Sequence, residues 1–422
     1  MKNQKYMPRI SDGVLKDHLE AMGAVLIEGA KWCGKTSTAK QMANSTLMLQ
    51  DPDKQGSYEL AIQTKPSLLL RGSTPRLLDE WQMYPILWDA VRFAVDERQK
   101  VGQFILTGSS VPEDGITMHT GTGRISRMLM RPMSLFESGD STGEVSLSRL
   151  FNNQLDIEGF SSLSIEKIAY LICRGGWPGA IGMNEHAALQ IATSYFDSVV
   201  NADIHRVDGV DKNPDRVRLL LRSLARNICT LSSAKTIMDD VSANEISITE
   251  KTYAAYINAL KRIFVVENSA AWQPSLRSRT AIRSAEKRNF VDPSIGIAAL
   301  QSSPDSLLDD FETFGFFFES LCTRDVRVYT QRLGGNVCHY KDKNGLEADI
   351  IIRLNNGQWA AIEVKMGSKQ VETAAANLLA LRECVDISKL GEPAFLMILT
   401  GGEYAYRRKD GILNVPIGCL RD

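Results

Sequence analysis

The chain is 422 residues long and nearly neutral, with 49 lysines and arginines against 50 aspartates and glutamates. That balance excludes a polybasic nucleic-acid chaperone and an acidic tail protein, while leaving local patches open. The length exceeds what one hydrophobic core organises, so two or three domains are expected, and 44% hydrophobic with 23% charged residues argues against long disorder.

No apolar run approaches the roughly 18 residues of a membrane helix. The first residues lack the apolar core of a secretory signal. Seven cysteines are scattered without a close C-x-x-C pair. Free thiols in a reducing cytoplasm, and no membrane partner, are therefore expected.

The first third alternates strand-like runs with helical patterns, which predicts a parallel sheet covered on both faces. Ala24 to Ile27 reads as a buried strand, and Thr46 to Leu49, Arg76 to Leu78 and Gln103 to Thr107 read as further strands. Helices are predicted to begin near Lys35 and near Pro85, the second with Ile86, Leu87, Val91 and Val95 at helical spacing. Between the first strand and the first of these helices lies Gly29-Ala30-Lys31-Trp32-Cys33-Gly34-Lys35-Thr36, which matches G-x-x-x-x-G-K-[ST]. Glycines permit a turn that aims backbone N–H groups at phosphates, and the helix N-terminus adds its dipole. Lys35 is expected to bridge the β- and γ-phosphates and the Thr36 hydroxyl to bind Mg²⁺.

On a later strand, Leu77-Leu78-Asp79-Glu80 supplies the acids this chemistry needs. Asp79 is expected to hold Mg²⁺ through its waters and Glu80 to polarise the attacking water. ATP is the expected nucleotide, because no N-K-x-D element that reads guanine is present. Phe104 to Ser110 ends a strand in hydroxyls; Ser109 is the candidate to contact the γ-phosphate or the water, against a plain strand-end turn. Gly123-Arg124, followed by Arg127 and Arg131, offers arginines to neutralise transition-state charge. Arg124 is chosen, acting within its own subunit or across the interface of a homo-oligomer.

Polar residues from 138 to 164 predict a connector. Beyond it, Arg216 to Asn227, Ser233 to Val241 and Thr249 to Arg262 predict three helices, and the run Ile263-Phe264-Val265-Val266 predicts a returning strand, a winged-helix-like order. Arg277, Arg279, Arg283, Lys287 and Arg288 then stand against one acid, Glu286. Such a run either contacts DNA phosphates or is a solvated face. After a polar break at 301–306 a last α/β segment runs to the end.

That segment contains two strand-like runs around Asn355-Asn356-Gly357, a hairpin signal. With the turn centred on Asn356, Asp349 and Glu363 face one another across the ladder, roughly 5 Å apart at Cβ. Like charges so placed call for a neutraliser, and Mg²⁺ suits hard carboxylate oxygens. Lys365 shares the face of Glu363, so an ammonium stands beside the expected metal. Upstream, Glu319 lies in an apolar helix from Phe311 to Leu321 and is either a third ligand or the polar edge of a core helix. Lys369 and Gln370 are weaker candidates for the same groove.

G-A-K-W-C-G-K-T, L-L-D-E-W-Q, F-I-L-T-G-S-S and G-R-I together resemble the AAA-superfamily ATPases of bacteria and archaea. Glu319 with Asp349, Glu363, Val364 and Lys365 resembles the core of PD-(D/E)XK nucleases, which that family often carries as a C-terminal domain of unknown function. The resemblance implies an α/β chain in four segments: a P-loop ATPase core (1–137), a connector (138–164), a helical and winged-helix-like region (165–300) and a nuclease-like domain (301–422). It implies a Mg-dependent ATPase coupled to DNA binding through the C-terminal half, with metal-dependent cleavage using Asp349, Glu363 and Lys365. The rivals are an ATP-switched binding module whose nuclease-like fold does not cut, and an ATPase that acts on another protein. One departure is visible: only two leucines precede Asp79, a shorter apolar strand than the family's usual one.

Overall fold

The computed structural model describes residues 6–109, 120–206, 212–243, 248–274 and 285–422. The chain forms two compact units, one from Met1–Pro132 with Ala202–Asp211 and Asn258–Phe264, the other from Met133–Asn201, Lys212–Ile257 and Val265–Asp422. Among the described residues no helix is long and apolar enough to cross a membrane.

In the first unit, helix α1 (Ile10–Ala21) precedes strand β1 (Ala24–Glu28), α2 (Lys35–Met42), β2 (Ser45–Met48), α3 (Gln55–Thr64), β3 (Arg76–Asp79), α4 (Ile86–Arg98), β4 (Phe104–Gly108) and β5 (Ile125–Leu129). The five strands are all parallel in the order β2-β3-β4-β1-β5. Side chains alternate along each strand, so β1 feeds two cores. Val25 and Ile27 join Val14, Leu15, Leu77, Ile105 and Met128 on one face, whereas Ala24 and Leu26 join Leu78, Phe104, Leu106, Trp88 and Val91 on the other. Burial on both faces explains why these strands read as unbroken apolar runs. β3 is four residues long, so the two leucines before Asp79 are the whole of its apolar length.

The second unit begins with β6 (Val145–Ser146), α5 (Leu147–Phe151) and β7 (Glu158–Phe160). Thus the stretch expected to be a connector contributes strands: β6 pairs with β15 (Leu420–Arg421), at the far end of the chain. Helices α6 (Ile165–Arg174), α7 (Glu185–Ser198), α8 (Pro214–Arg226), α9 (Ala234–Ser242) and α10 (Glu250–Arg262) follow, the residues of α10 from Asn258 on being counted with the first unit. The last three match the predicted helices, and α8 starts as its sequence dictates, with the Asn213 side chain accepting the Arg216 N–H and Pro214 in the first turn.

The returning strand predicted after α10 does not form. Phe264 takes a left-handed φ of 57°, which breaks the extended run, and Val266 makes only an isolated bridge to Phe290. A two-residue strand, β8 (Ala270–Ala271), follows instead. Arg277, Arg279 and Arg283 lie outside the described residues.

Next come α11 (Pro293–Leu300), α12 (Pro304–Asp309), the long α13 (Phe311–Arg332), β9 (Gly335–Lys341), β10 (Glu347–Leu354), β11 (Trp359–Lys365), α14 (Val371–Cys384), α15 (Ile387–Leu390), β12 (Leu396–Thr400), β13 (Tyr404–Arg407) and β14 (Leu413–Pro416). Their sheet runs β7-β13-β14-β12-β11-β10-β9-β8. One of its cores joins Ile351, Trp359, Ala361 and Ile398 to Ala374, Leu378 and Leu381 of α14.

Candidate active site

The phosphate loop leaves β1 and enters α2. Gly29 has φ 150°, and a Cβ there would stand 2.1 Å from the Met130 carbonyl oxygen; Gly34, at φ 105°, caps α2. These are the positions where the turn demands glycine. Lys35 is buried, and its ammonium donates to the carbonyls of Gly29 and Ala30, each at 2.8 Å. Beyond the strand end, the buried guanidinium of Arg9 donates to the Cys33 carbonyl at 2.8 Å and to the Arg131 carbonyl at 2.9 Å. Trp32 is exposed in a left-handed conformation, and Lys31 pairs with Asp203, which ends the π-helical turn Val199–Asp203.

Parallel pairing brings the strand ends to one edge, where α/β sheets place their ligands. Asp79 lies abreast of Thr107, and Thr107 abreast of Ile27, just before the loop. Asp79 is fully buried and accepts from Thr36 Oγ1 at 2.6 Å, Thr107 Oγ1 at 2.7 Å and Gln50 Nε2 at 3.3 Å. Glu80, at φ 56°, turns away from the strand; its N–H donates to Thr107 Oγ1 at 3.2 Å, and its carboxylate accepts from Ser109 Oγ at 3.2 Å and from Gln82. Loop, Asp79, Glu80 and Ser109 therefore converge. Thr36 and Asp79 are the hard-oxygen pair that fits Mg²⁺.

Several members of this cluster carry no signal of their own. Gln50 and Arg9 belong to no motif. The hydroxyl-rich strand end was legible, but Thr107, still within β4, meets Asp79, whereas Ser109, past its end, meets Glu80.

Arg124 stands apart. Because β5 runs parallel to β1, with Ile125 beside Ala24, Arg124 precedes β5 at the sheet edge opposite the loop. A five-residue strand, roughly 16 Å, separates the two edges. Its guanidinium pairs with Asp96 at 2.7 Å. A role for Arg124 at its own subunit's phosphates is thereby corrected; Arg131, past the other end of β5, lies at the loop edge, where its carbonyl accepts from Arg9.

In the second unit the hairpin has the predicted register: Ile350 pairs with Ile362 and Arg353 with Trp359, which sets Asp349 abreast of Glu363 at the next step. Gly357 takes φ 92° at the turn. On the other side of β10 a bulge between Ala348 and Ile351 interrupts pairing with β9 at Asp349. Glu319, on α13, approaches the same pocket.

Its electrostatics differ from the expectation, because Lys287 is not on a solvated basic face. It is 6% exposed, held by reciprocal backbone bonds to Ser269, and its ammonium reaches Glu319 and, at 3.2 Å, Asp349 Oδ1. Lys365 reaches Glu363 Oε2 at 2.6 Å and Asp349 Oδ2 at 3.4 Å, and the Val364 N–H donates to Asp349 Oδ2 at 2.9 Å. Burial and then the Asp349 charge push Glu319 up to about 8 and Glu363 up to about 7. Burial also pushes Asp349 up, but Lys287, Lys365 and the Val364 N–H outweigh it and hold it below its ordinary value.

Among the described residues no group of three His, Cys, Asp or Glu side chains is arranged to hold a metal. The three expected ligands Glu319, Asp349 and Glu363 do not fit the role, since an ammonium stands between each neighbouring pair. Lys369 and Gln370 lie exposed just after β11.

Comparison with known proteins agrees with this geometry in its first part. Residues 22–138 match the AAA domain family, while 165–306 and 314–420 match two families described as domains of unknown function, DUF8612 and DUF4143. No curated protein matches. Among solved structures the chain is similar to a Walker-type ATPase of Pyrococcus abyssi, at 15% identity and a TM-score of 0.41, covering 70% of this chain and 97% of that one. It is also similar to a signal-transduction ATPase with a tetratricopeptide-repeat sensor from Pyrococcus horikoshii (12%, TM-score 0.26, 78% and 50%) and to Drosophila ORC bound to DNA (10%, TM-score 0.20, 63% and 86%). The first unit is thus built around a P-loop ATPase domain of the AAA type.

Proposed function

We propose that this chain hydrolyses ATP and uses turnover to change how its C-terminal half holds DNA. The hydrolytic reading rests on one observation: Thr36, Asp79, Thr107, Glu80 and Ser109 form a continuous hydrogen-bonded path beside the phosphate loop. The N–H groups of the loop and of the start of α2 bind the phosphates. Lys35, whose ammonium bonds the loop's own carbonyls, stands where it would meet phosphate oxygens. Thr36, and Asp79 through water, would hold Mg²⁺, which would offset the phosphate charge. Glu80, oriented by Ser109 and Gln82, accepts the proton of the attacking water.

For DNA, the support is the sequence run Arg277, Arg279, Arg283 and Arg288, together with the nuclease-like hairpin. Cleavage is not part of the proposal, because the hairpin's carboxyls already have ammonium partners. The seven free thiols fit a reducing cytoplasm.

The test is an ATPase assay of the wild type, Lys35→Ala and Glu80→Gln, with and without duplex and single-stranded DNA. Turnover lost in both variants and stimulated by one DNA form is expected. Undiminished turnover in Lys35→Ala overturns the hydrolytic reading. No binding of DNA at low salt overturns the second half and favours a protein partner.

A further inference from the structure

Facing carboxylates on adjacent strands repel, and a pocket that adds a third from a helix is stabilised by positive charge. In metal-dependent phosphodiester chemistry a divalent ion supplies it. This pocket supplies it instead with two ammonium groups, Lys287 and Lys365. We infer that Lys287 is a built-in cation standing where the hairpin calls for a divalent metal, so that the pocket is complete without Mg²⁺ or Mn²⁺.

Three observations carry the inference. The first is the bonding of Asp349, the central carboxylate: Oδ1 faces Lys287 at 3.2 Å, and Oδ2 faces Lys365 at 3.4 Å and the Val364 N–H at 2.9 Å. Each oxygen thus already faces an ammonium, and that charge repels a divalent ion approaching to about 2.1 Å.

Second, Lys287 is not a surface side chain that happens to fold inward. Its backbone N–H donates to the Ser269 carbonyl at 2.9 Å, and the Ser269 N–H returns a bond to the Lys287 carbonyl at 2.9 Å, so the stem enters the pocket from a fixed position. The residue is 6% exposed. Leaving such a pocket would strip Glu319 and Asp349 of their shared partner, which is costly in a buried site.

Third, the lysine at the end of β11 is already engaged. Lys365 bonds Glu363 Oε2 at 2.6 Å and Lys287 pairs with Glu319, so each of the three carboxyls meets at least one ammonium and Asp349 meets two. Such a pocket retains the nuclease-like framework while lacking the open cation position that hydrolysis requires. The inference depends on neither ATP turnover nor DNA as partner.

The test titrates Mn²⁺ into nucleotide-free full-length chain, following free Mn²⁺ by electron paramagnetic resonance. Wild type and Asp349→Asn are expected to bind Mn²⁺ identically. Lys287→Met, which keeps most of the side-chain volume, is expected to gain about one Mn²⁺ per chain with at least a tenfold stronger response, and adding Asp349→Asn is expected to abolish the gain. The Lys287→Met melting temperature should also rise with Mn²⁺ while that of the wild type does not, and its ATPase should be unchanged. Mn²⁺ binding, or Mg²⁺-dependent nicking of plasmid, that the wild type shows and Asp349→Asn loses overturns the inference. So does a folded Lys287→Met that gains no ion. Should that variant not fold, the comparison of wild type with Asp349→Asn decides alone.

Discussion

Thr107 donates its hydroxyl to Asp79 Oδ1 at 2.7 Å while accepting the Glu80 N–H at 3.2 Å. A single hydroxyl on the strand between the phosphate loop and the acids thus fixes the Asp79 carboxylate and the Glu80 backbone together. Thr107→Val keeps the shape and removes the donor, leaving part of a buried carboxylate unsatisfied at about 1–3 kcal/mol. A loss of roughly 10- to 100-fold in kcat/KM for Mg-ATP is expected, with Thr107→Ser close to wild type. Steady-state ATPase across a Mg²⁺ titration checks it; a fully active Thr107→Val would show that Asp79 needs no help from β4.

Arg9 ties the phosphate loop to the segment after β5 through two carbonyls, and its guanidinium is buried. Removing it frees the Cys33 carbonyl, one residue before Gly34. Arg9→Met is expected to weaken nucleotide binding about tenfold, which corresponds to about 1.4 kcal/mol, while leaving the chemical step of bound ATP intact. Fluorescent-nucleotide titration and single-turnover hydrolysis separate these, and unchanged affinity would refute the positioning role.

Arg324 is fully enclosed by two aspartates, meeting Asp292 at 3.0 Å and Asp325 at 2.7 Å. The same carboxylates accept the N–H groups of Gly176 and Leu135, each at 2.9 Å. Three distant segments are therefore fastened to α13 through one cation. Arg324→Leu strands two buried carboxylates and should cost about 3–5 kcal/mol. Urea unfolding is the measurement, and Lys389→Ala, at the exposed pair with Asp386, is the control expected to leave the midpoint unchanged.

The acid pocket also makes stability depend on pH. Glu319 faces Asp349, Lys287, Lys365 and the Cys229 thiol, and with Glu363 it holds its proton more firmly in the fold, at about 8 and about 7, than at the ordinary value of 4.5. A group whose pKa is raised by folding contributes stability fully below its unfolded value and loses it as pH rises through the folded one. Asp349, held low, acts in the opposite sense but in acid, below its ordinary 3.8. The unfolding midpoint should therefore fall between about pH 5 and about pH 9, and fall less in Glu319→Gln. A pH profile that Glu319→Gln leaves unaltered would remove Glu319 as its source.

How much of this was legible in the chain depends on how local each relationship is. The phosphate loop is eight consecutive residues, and a strand-loop-helix order is enough to read its chemistry. The Asp349–Glu363 register is nearly as local, since a tight turn and the period-2 alternation of strands determine which residues meet. The wing was misread because an apolar tetrapeptide does not reveal that Phe264 is left-handed. Whether Arg124 serves its own subunit or a neighbour is not legible locally, because parallel pairing with β1, which decides the edge of the sheet on which an arginine lies, is a long-range fact.

The sequence by itself determined that Gly29 to Thr36 forms a glycine-bounded loop between a strand and a helix and that two carboxyls and a lysine share a hairpin face, because those constraints act over a few residues. Tertiary structure alone decided that Thr107 serves Asp79, that Arg9 braces the loop, and that Lys287 joins the acids instead of facing solvent. A near-neutral chain carries no mark of which of its 49 cations lie inside. Burial assigns that, since a lysine withdrawn from water must find carboxylates, and only the packed sheet and α13 bring Glu319 and Asp349 to it.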